Sequence, residues 1–175
     1  FFLSEMILLV TKRSSRKSSA RQKDKGSLII LWIIITTSFM LGFRMANYGI
    51  WKTADYLFAL TGLLVLVTGL IIRWTSIIQL NKAFTVDVAI SNAQELKTDG
   101  LYRIIRHPSY FGLLLIMAGE SVAMDSLRSF LVVVLPMIIA ILYRIHVEEK
   151  LLEEGFGEMY QVYMRKTKRI VPYIY

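Results

Sequence analysis

The chain has 175 residues, 55% of them hydrophobic, and still carries a formal net charge of +8. A water-soluble domain of this size cannot hide so much apolar surface, whereas a bilayer removes the need to hide it. There is no cysteine and there are only two histidines. Disulfides, thiolate metal sites and a cysteine nucleophile are therefore excluded, and no metal centre is expected.

Residues 1–11 are apolar but fall short of the roughly 20 residues that a span requires. The basic cluster follows them instead of preceding them, which is the wrong order for a signal peptide. They read as the cytoplasmic end of a first helix that starts upstream. Residues 12–25 hold seven basic residues and one acid, Asp24. They read as a solvated linker, and their charge places them on the cytoplasmic side. Residues 27–45 form an apolar run long enough to cross, and 46–53 a short polar turn. A second run follows at 54–72, with Arg73 and Trp74 marking the membrane interface. Gly62 and Gly69 share one face of that helix and permit close packing.

Residues 77–108 are mixed in character and contain no spanning run. A stretch of this length outside the bilayer suits a ligand-binding loop. Residues 110–123 and 130–145 are two apolar runs joined by a polar turn at Asp125, Ser126 and Arg128. They read as a helical hairpin, with Gly112 and Gly119 on one face of the first helix and Pro136 as a kink in the second. From His146 onward, acids and bases alternate with Leu151, Leu152, Phe156, Met159, Tyr160 and Tyr163. That is an amphipathic helix interrupted at Gly155–Gly157.

The fold class is thus all-α: a single polytopic membrane domain with about five transmembrane helices, counting the truncated first one. The N-terminal spans occupy 1–76 and the candidate catalytic region 77–175. The loop 77–108 and the C-terminus share the cytoplasmic side. No Rossmann domain is expected, because the only Gly-x-Gly, at 155–157, lacks the next glycine at the required spacing. The basic excess belongs to a lipid bilayer and not to nucleic acid.

Two stretches invite a chemical reading. Residues 106–110 read Arg-His-Pro-Ser-Tyr, directly before an apolar span, where ionisable groups are costly and need partners. Proline at a helix start leaves backbone amides facing the loop, and such a start can hold an anion. On spacing alone the stretch reads equally well as a helix cap with Arg and His anchors. Arg144 and Glu148 lie four apart where the last span leaves the membrane. On spacing alone an exposed ion pair or an interfacial anchor is the first reading for them. Tyr160 and Tyr163 read as packing or an aromatic belt, and the basic residues at 165–169 as a lipid-headgroup contact.

The sequence Leu-Lys-Thr-Asp-Gly-Leu-Tyr-Arg at 96–103, followed by Arg-His-Pro-Ser-Tyr-Phe-Gly at 106–112, resembles isoprenylcysteine carboxyl methyltransferases. It is also similar to the wider group of membrane methyltransferases that includes phospholipid methyltransferases. A second element agrees: Glu148 and Glu149, then Phe156, Gly157, Tyr160, Tyr163 and Pro172. The resemblance covers roughly residue 84 to the C-terminus and implies S-adenosylmethionine as cofactor, with S-adenosylhomocysteine as product. It implies that Tyr102, His107, Pro108, Ser109 and Tyr110 line the cofactor pocket and that Glu148 faces them from the opposite side. Backbone at Gln94, Leu96 and Lys97 would cover the adenine, although Lys97 stands where an apolar residue is usual. Arg144 would be the catalytic, substrate-side residue and would orient a carboxylate. The expected partner is a lipophilic, membrane-borne substrate, and the expected assembly a monomer. Phospholipid amine methylation and a non-catalytic lipid-binding role are the alternatives.

Overall fold

A computed structural model describes residues 19–47, 56–80 and 96–172, with side chains in the first stretch from 26 to 46. The expected first helix at 1–11 and the residues 81–95, Gln94 among them, lie outside the described residues. Among the described residues five α-helices follow one another: α1 Ser19–Asn47, α2 Tyr56–Leu80, α3 Pro108–Ala123, α4 Leu127–Phe156 and α5 Glu158–Lys166, with a 3-10 turn at Gly100–Arg103 before α3. Three of them, within Gly26–Ala46, Tyr56–Leu80 and Leu127–Phe156, are long and apolar enough to cross a membrane, and Pro108–Ala123 is a shorter apolar helix.

The polar residues inside the spans cost little. Thr37 and Thr68 donate their hydroxyls to the carbonyls of Ile33 and Leu64 one turn back, at 2.6 and 2.8 Å, so neither meets hydrocarbon unsatisfied. The hairpin turn works because Asp125 adopts a left-handed φ of 47°, which aspartate tolerates better than most residues. Ser126 then caps α4 by accepting from the Ser129 amide at 3.3 Å. Two boundaries differ from expectation. α1 begins at Ser19, inside the basic segment read as linker, because arginine, lysine and glutamine propagate a helix as readily as leucine. α4 continues as one helix through Pro136 to Phe156, joining the last span to the first part of the amphipathic stretch. Gly157, with φ 55° and ψ −127°, ends it and starts α5.

α3 packs on α2 along one side and on α4 along the other, and α1 packs on α4. Consecutive helices α1 and α2 therefore pack on opposite sides of the α3–α4 pair. Between α2 and α3 the backbones themselves touch. A Cβ added at Gly69 would lie 2.7 Å from the carbonyl oxygen of Gly112, and one at Gly62 would lie 2.6 Å from that of Gly119. The two glycine pairs seen in the sequence thus face each other. The core between α1, α3 and α4 is apolar, built on Leu31, Ile35, Leu113, Ile116, Met117, Val133, Met137 and Ile141. Outward-facing Leu57, Leu64, Ile71, Leu135 and Ile139 are exposed, as a lipid-facing surface requires.

Candidate functional site

The ionisable residues that the bundle buries, Arg73, His107, Arg144 and Glu149, gather at the end where α1 begins, α2 ends, α3 begins and α4 emerges. Arg144 on α4 is only 2% exposed, so the exposed ion-pair reading does not hold. Its Nε donates to the Tyr110 hydroxyl at 2.9 Å, and its Nη1 to Ser27 Oγ on α1 at 2.7 Å. Tyr110, on the first turn of α3, donates its own hydroxyl to Glu148 Oε2 at 2.7 Å. A single phenol therefore joins the buried cation to the carboxylate one turn further along α4. The four-residue spacing does put both groups on one face, but they meet through Tyr110.

The start of α3 is held from two sides. Arg73, near the end of α2 and 8% exposed, donates through Nη1 to both the carbonyl and the hydroxyl of Ser109, each at 3.1 Å. It is a buried clamp and not the interface marker that its position suggested. On the other side, His107 is 4% exposed, and its Nε2 lies 3.4 Å from Glu149 Oε1. Pro108 has no N–H, and the amides of Tyr110 and Phe111 both donate to the His107 carbonyl at 3.1 Å. The supply of helix-start amides for an anion is therefore smaller than the sequence suggested.

Glu149 is the main residue that the sequence reading left out of the site. Its carboxylate accepts from Arg106 Nε at 2.8 Å and from Arg169 Nε at 2.9 Å, with His107 beside the same Oε1. Arg106 also donates through Nη1 to the carbonyls of Met164 and Thr167. Backbone bonds run from the Arg106 amide to Lys168 O at 2.8 Å and from the His107 amide to Arg169 O at 2.9 Å, around a parallel bridge between Ile105 and Lys168. The C-terminal tail is thus stitched across the segment that leads into α3. Only the pairing of Glu149 with Glu148 hinted at this. Its partners lie 43, 42 and 20 residues away, beyond any helical periodicity.

Three buried tyrosines line the same region. Tyr163 donates its hydroxyl to the carbonyl of Tyr102 at 2.6 Å. The Tyr160 ring lies 6.0 Å from that of Tyr163. Tyr160 is 1% exposed, and its hydroxyl has no hydrogen-bond partner among the described residues. Both pack inside, so neither forms an aromatic belt. Burial pushes all three phenols above their ordinary range, and the Glu148 carboxylate adds to the effect at Tyr102 and Tyr160. They are neutral donors at physiological pH and cannot accept a substrate proton.

Leu96 meets this group at an open cleft of ≈ 740 Å³, which it lines with Thr98, Arg103, Val162, Tyr163 and Thr167. Lys97 turns its ammonium onto the exposed Asp99 carboxylate at 2.9 Å, which holds Asp99 below the usual carboxylate range. Gly100 takes a left-handed φ of 59°, and the following amide, of Leu101, donates to Gln79 Oε1 at 2.9 Å. That bond ties the loop back to the end of α2. No cluster of His, Asp and Glu able to hold a metal ion exists among the described residues.

Comparison with known proteins identifies the family. The phospholipid methyltransferase family matches residues 57–159. The protein-S-isoprenylcysteine O-methyltransferase B of Arabidopsis thaliana is 32% identical over 115 residues, covering 65% of this chain and 58% of that protein. The protein-S-isoprenylcysteine O-methyltransferase of Schizosaccharomyces pombe is 31% identical over 111 residues, covering 62% and 47%. The solved structure of a eukaryotic intramembrane Ras methyltransferase, an isoprenylcysteine carboxyl methyltransferase, superposes with a TM-score of 0.71 at 26% identity. That match covers 82% of this chain and 52% of that one. The chain therefore spans about half to three fifths of the length of these relatives. With its apolar helices, the likeness makes it an integral membrane protein.

Proposed function

The chain belongs to the phospholipid methyltransferase family, and on that premise we propose that it transfers a methyl group from S-adenosylmethionine to the carboxylate of a prenylcysteine or similar lipophilic acid. The observation that carries this reading is the chain of hydrogen bonds from Ser27 through Arg144 and Tyr110 to Glu148. It links a buried cation to a half-buried carboxylate one turn further along the same helix face.

The residues fit the cofactor. Glu148 supplies an anion for an ammonium, and the Arg73 guanidinium at Ser109, with the start of α3, offers the opposite sign for a carboxylate. His107, Pro108 and Tyr102 form the wall between them, with the backbone at Leu96 and Lys97 as part of the cover over the adenine. When bound, S-adenosylmethionine supplies an electrophilic methyl group on a sulfonium. A substrate carboxylate is already ionised at neutral pH and requires no general base. It requires alignment and exclusion of water. Arg144 provides the alignment through planar paired donors. The apolar bundle provides the exclusion, and a lipid-modified acceptor reaches Arg144 sideways from the bilayer. The loop and the C-terminus face the cytoplasm, where the donor is found, and the domain acts as a monomer.

The family match also favours a second reading, methylation of a phospholipid amine. An amine is largely protonated at neutral pH and requires a proton acceptor. Glu148 and His107 are the candidates, and both are already engaged, by Tyr110 and by Glu149. Offering the protein a prenylcysteine analogue and phosphatidylethanolamine separately decides between them. Turnover of the amine lipid alone defeats the carboxylate reading. Titration with S-adenosylhomocysteine tests the shared premise. Binding should be lost when His107→Ala and Glu148→Ala are combined; undiminished binding by that variant would defeat this reading of the site, and no binding to the wild type would point instead to a non-catalytic lipid-binding role.

A further inference from the structure

Among the three buried tyrosines of the site, Tyr160 is anomalous. It is 1% exposed, yet its hydroxyl finds no hydrogen-bond partner among the described residues. A buried, unsatisfied polar group costs the folded state the desolvation penalty of that group. An apolar ring would pack in the same place without that cost. Tyr163, three residues away on α5 and ring to ring with it, spends its own hydroxyl on the Tyr102 carbonyl. The two tyrosines thus share a helix and an environment but differ in whether the hydroxyl is used.

The place of this hydroxyl matters. Tyr160 stands on the helix that follows Gly157 and is buried where that helix packs on α4, which carries Glu148 and Glu149. Glu148 is the carboxylate joined to Tyr110 at the start of α3. We propose that Tyr160 is a ligand-binding residue whose hydroxyl donates to an acceptor oxygen or nitrogen of the bound nucleoside amino acid, on the same side of the site as Glu148. This rests on the methyl-donor reading above. It adds α5 to the donor site, so that the donor is held from the start of α3, from α4 and from α5 together.

The inference has an uncommon signature, because one substitution should move stability and affinity in opposite directions. In the ligand-free chain, reconstituted in detergent or nanodiscs, Tyr160→Phe removes an unsatisfied group and should raise the melting temperature by about 2–4 °C. The same variant should bind S-adenosylhomocysteine about tenfold more weakly, the loss of one good hydrogen bond. Tyr163→Phe is the control. It orphans the Tyr102 carbonyl and should lower the melting temperature. A wild type that binds S-adenosylhomocysteine and a Tyr160→Phe variant that binds it equally well would overturn the inference, and would mean that a resident water satisfies the hydroxyl. A fall in melting temperature on Tyr160→Phe would overturn it as well, since the hydroxyl would then already have a partner. A wild type with no affinity for S-adenosylhomocysteine would instead overturn the methyl-donor reading on which the inference stands.

Discussion

The two flanks of α3 are held in opposite ways. Against α2, beyond the Arg73 clamp on Ser109 at the helix start, the contact is one of close approach: Gly62 and Gly69 meet Gly119 and Gly112, and backbone rests on backbone. Against α4, at the end where the helix starts, the contact is a network of hydroxyls, guanidinium groups and carboxylates running through Tyr110, Arg144, Glu148, His107 and Glu149. In lipid, apolar helices gain little by burying apolar side chains against each other, so close approach and polar bonds must do the joining. The glycine flank needs only shape. The polar flank needs each member, because a buried charge that loses its partner is left with its full desolvation cost.

The comparison can be broken most severely on the glycine flank. A side chain at Gly69 would begin 2.7 Å from one backbone atom and 2.8 Å from another. Neither can swing aside. Gly69→Leu should therefore cost more than the roughly 1–3 kcal/mol typical of overpacking. The expected outcome is loss of monodisperse protein on size exclusion in detergent, and normal recovery would show that α2 and α3 are not so closely seated. On the polar flank the effects should be functional before they are structural. Arg144→Ala should lower methyl transfer on the order of 100-fold, as misplacement of a reacting group does. S-adenosylhomocysteine affinity should fall only a few-fold, through the loss of one bond to Tyr110. Parallel losses in turnover and in calorimetric affinity would move Arg144 into the donor site. The smallest effect belongs to neither flank. Lys97 pairs with an exposed carboxylate, and such pairs contribute little. Lys97→Met should leave the melting temperature unchanged, and a shift would mean that the loop is anchored more firmly than the Asp99 contact accounts for.

How much of this was legible beforehand follows from range. The spans, the hairpin turn at Asp125 and the break at Gly157 are local, so composition and periodicity reveal them. The four glycines were visible as two sevenfold spacings, though not as partners. Arg144 and Glu148 were found because one helix face holds both. Their real connection was not, because Tyr110 lies 34 residues from one and 38 from the other. Arg73 looked like an anchor at a membrane edge, and only its reach of 36 residues to Ser109 shows otherwise. Ser27, 117 residues from Arg144, offered no signal. Glu149 was seen as half of a pair and missed as the point where loop, tail and helix meet. Residue type told where charge is needed, but not which charges share a partner.

The uninterrupted run of α4 through 30 residues has a consequence of its own. Such a helix is about 45 Å long, against a hydrocarbon core of roughly 30 Å. It works as a depth gauge: the rise per residue sets Arg144 about 6 Å nearer the lipid than Glu148, whatever the surrounding loops do. On the proposed reaction, an acceptor would be selected partly by how deep its tail lets its acid group sit, and the thickness of the membrane would become a variable of the chemistry.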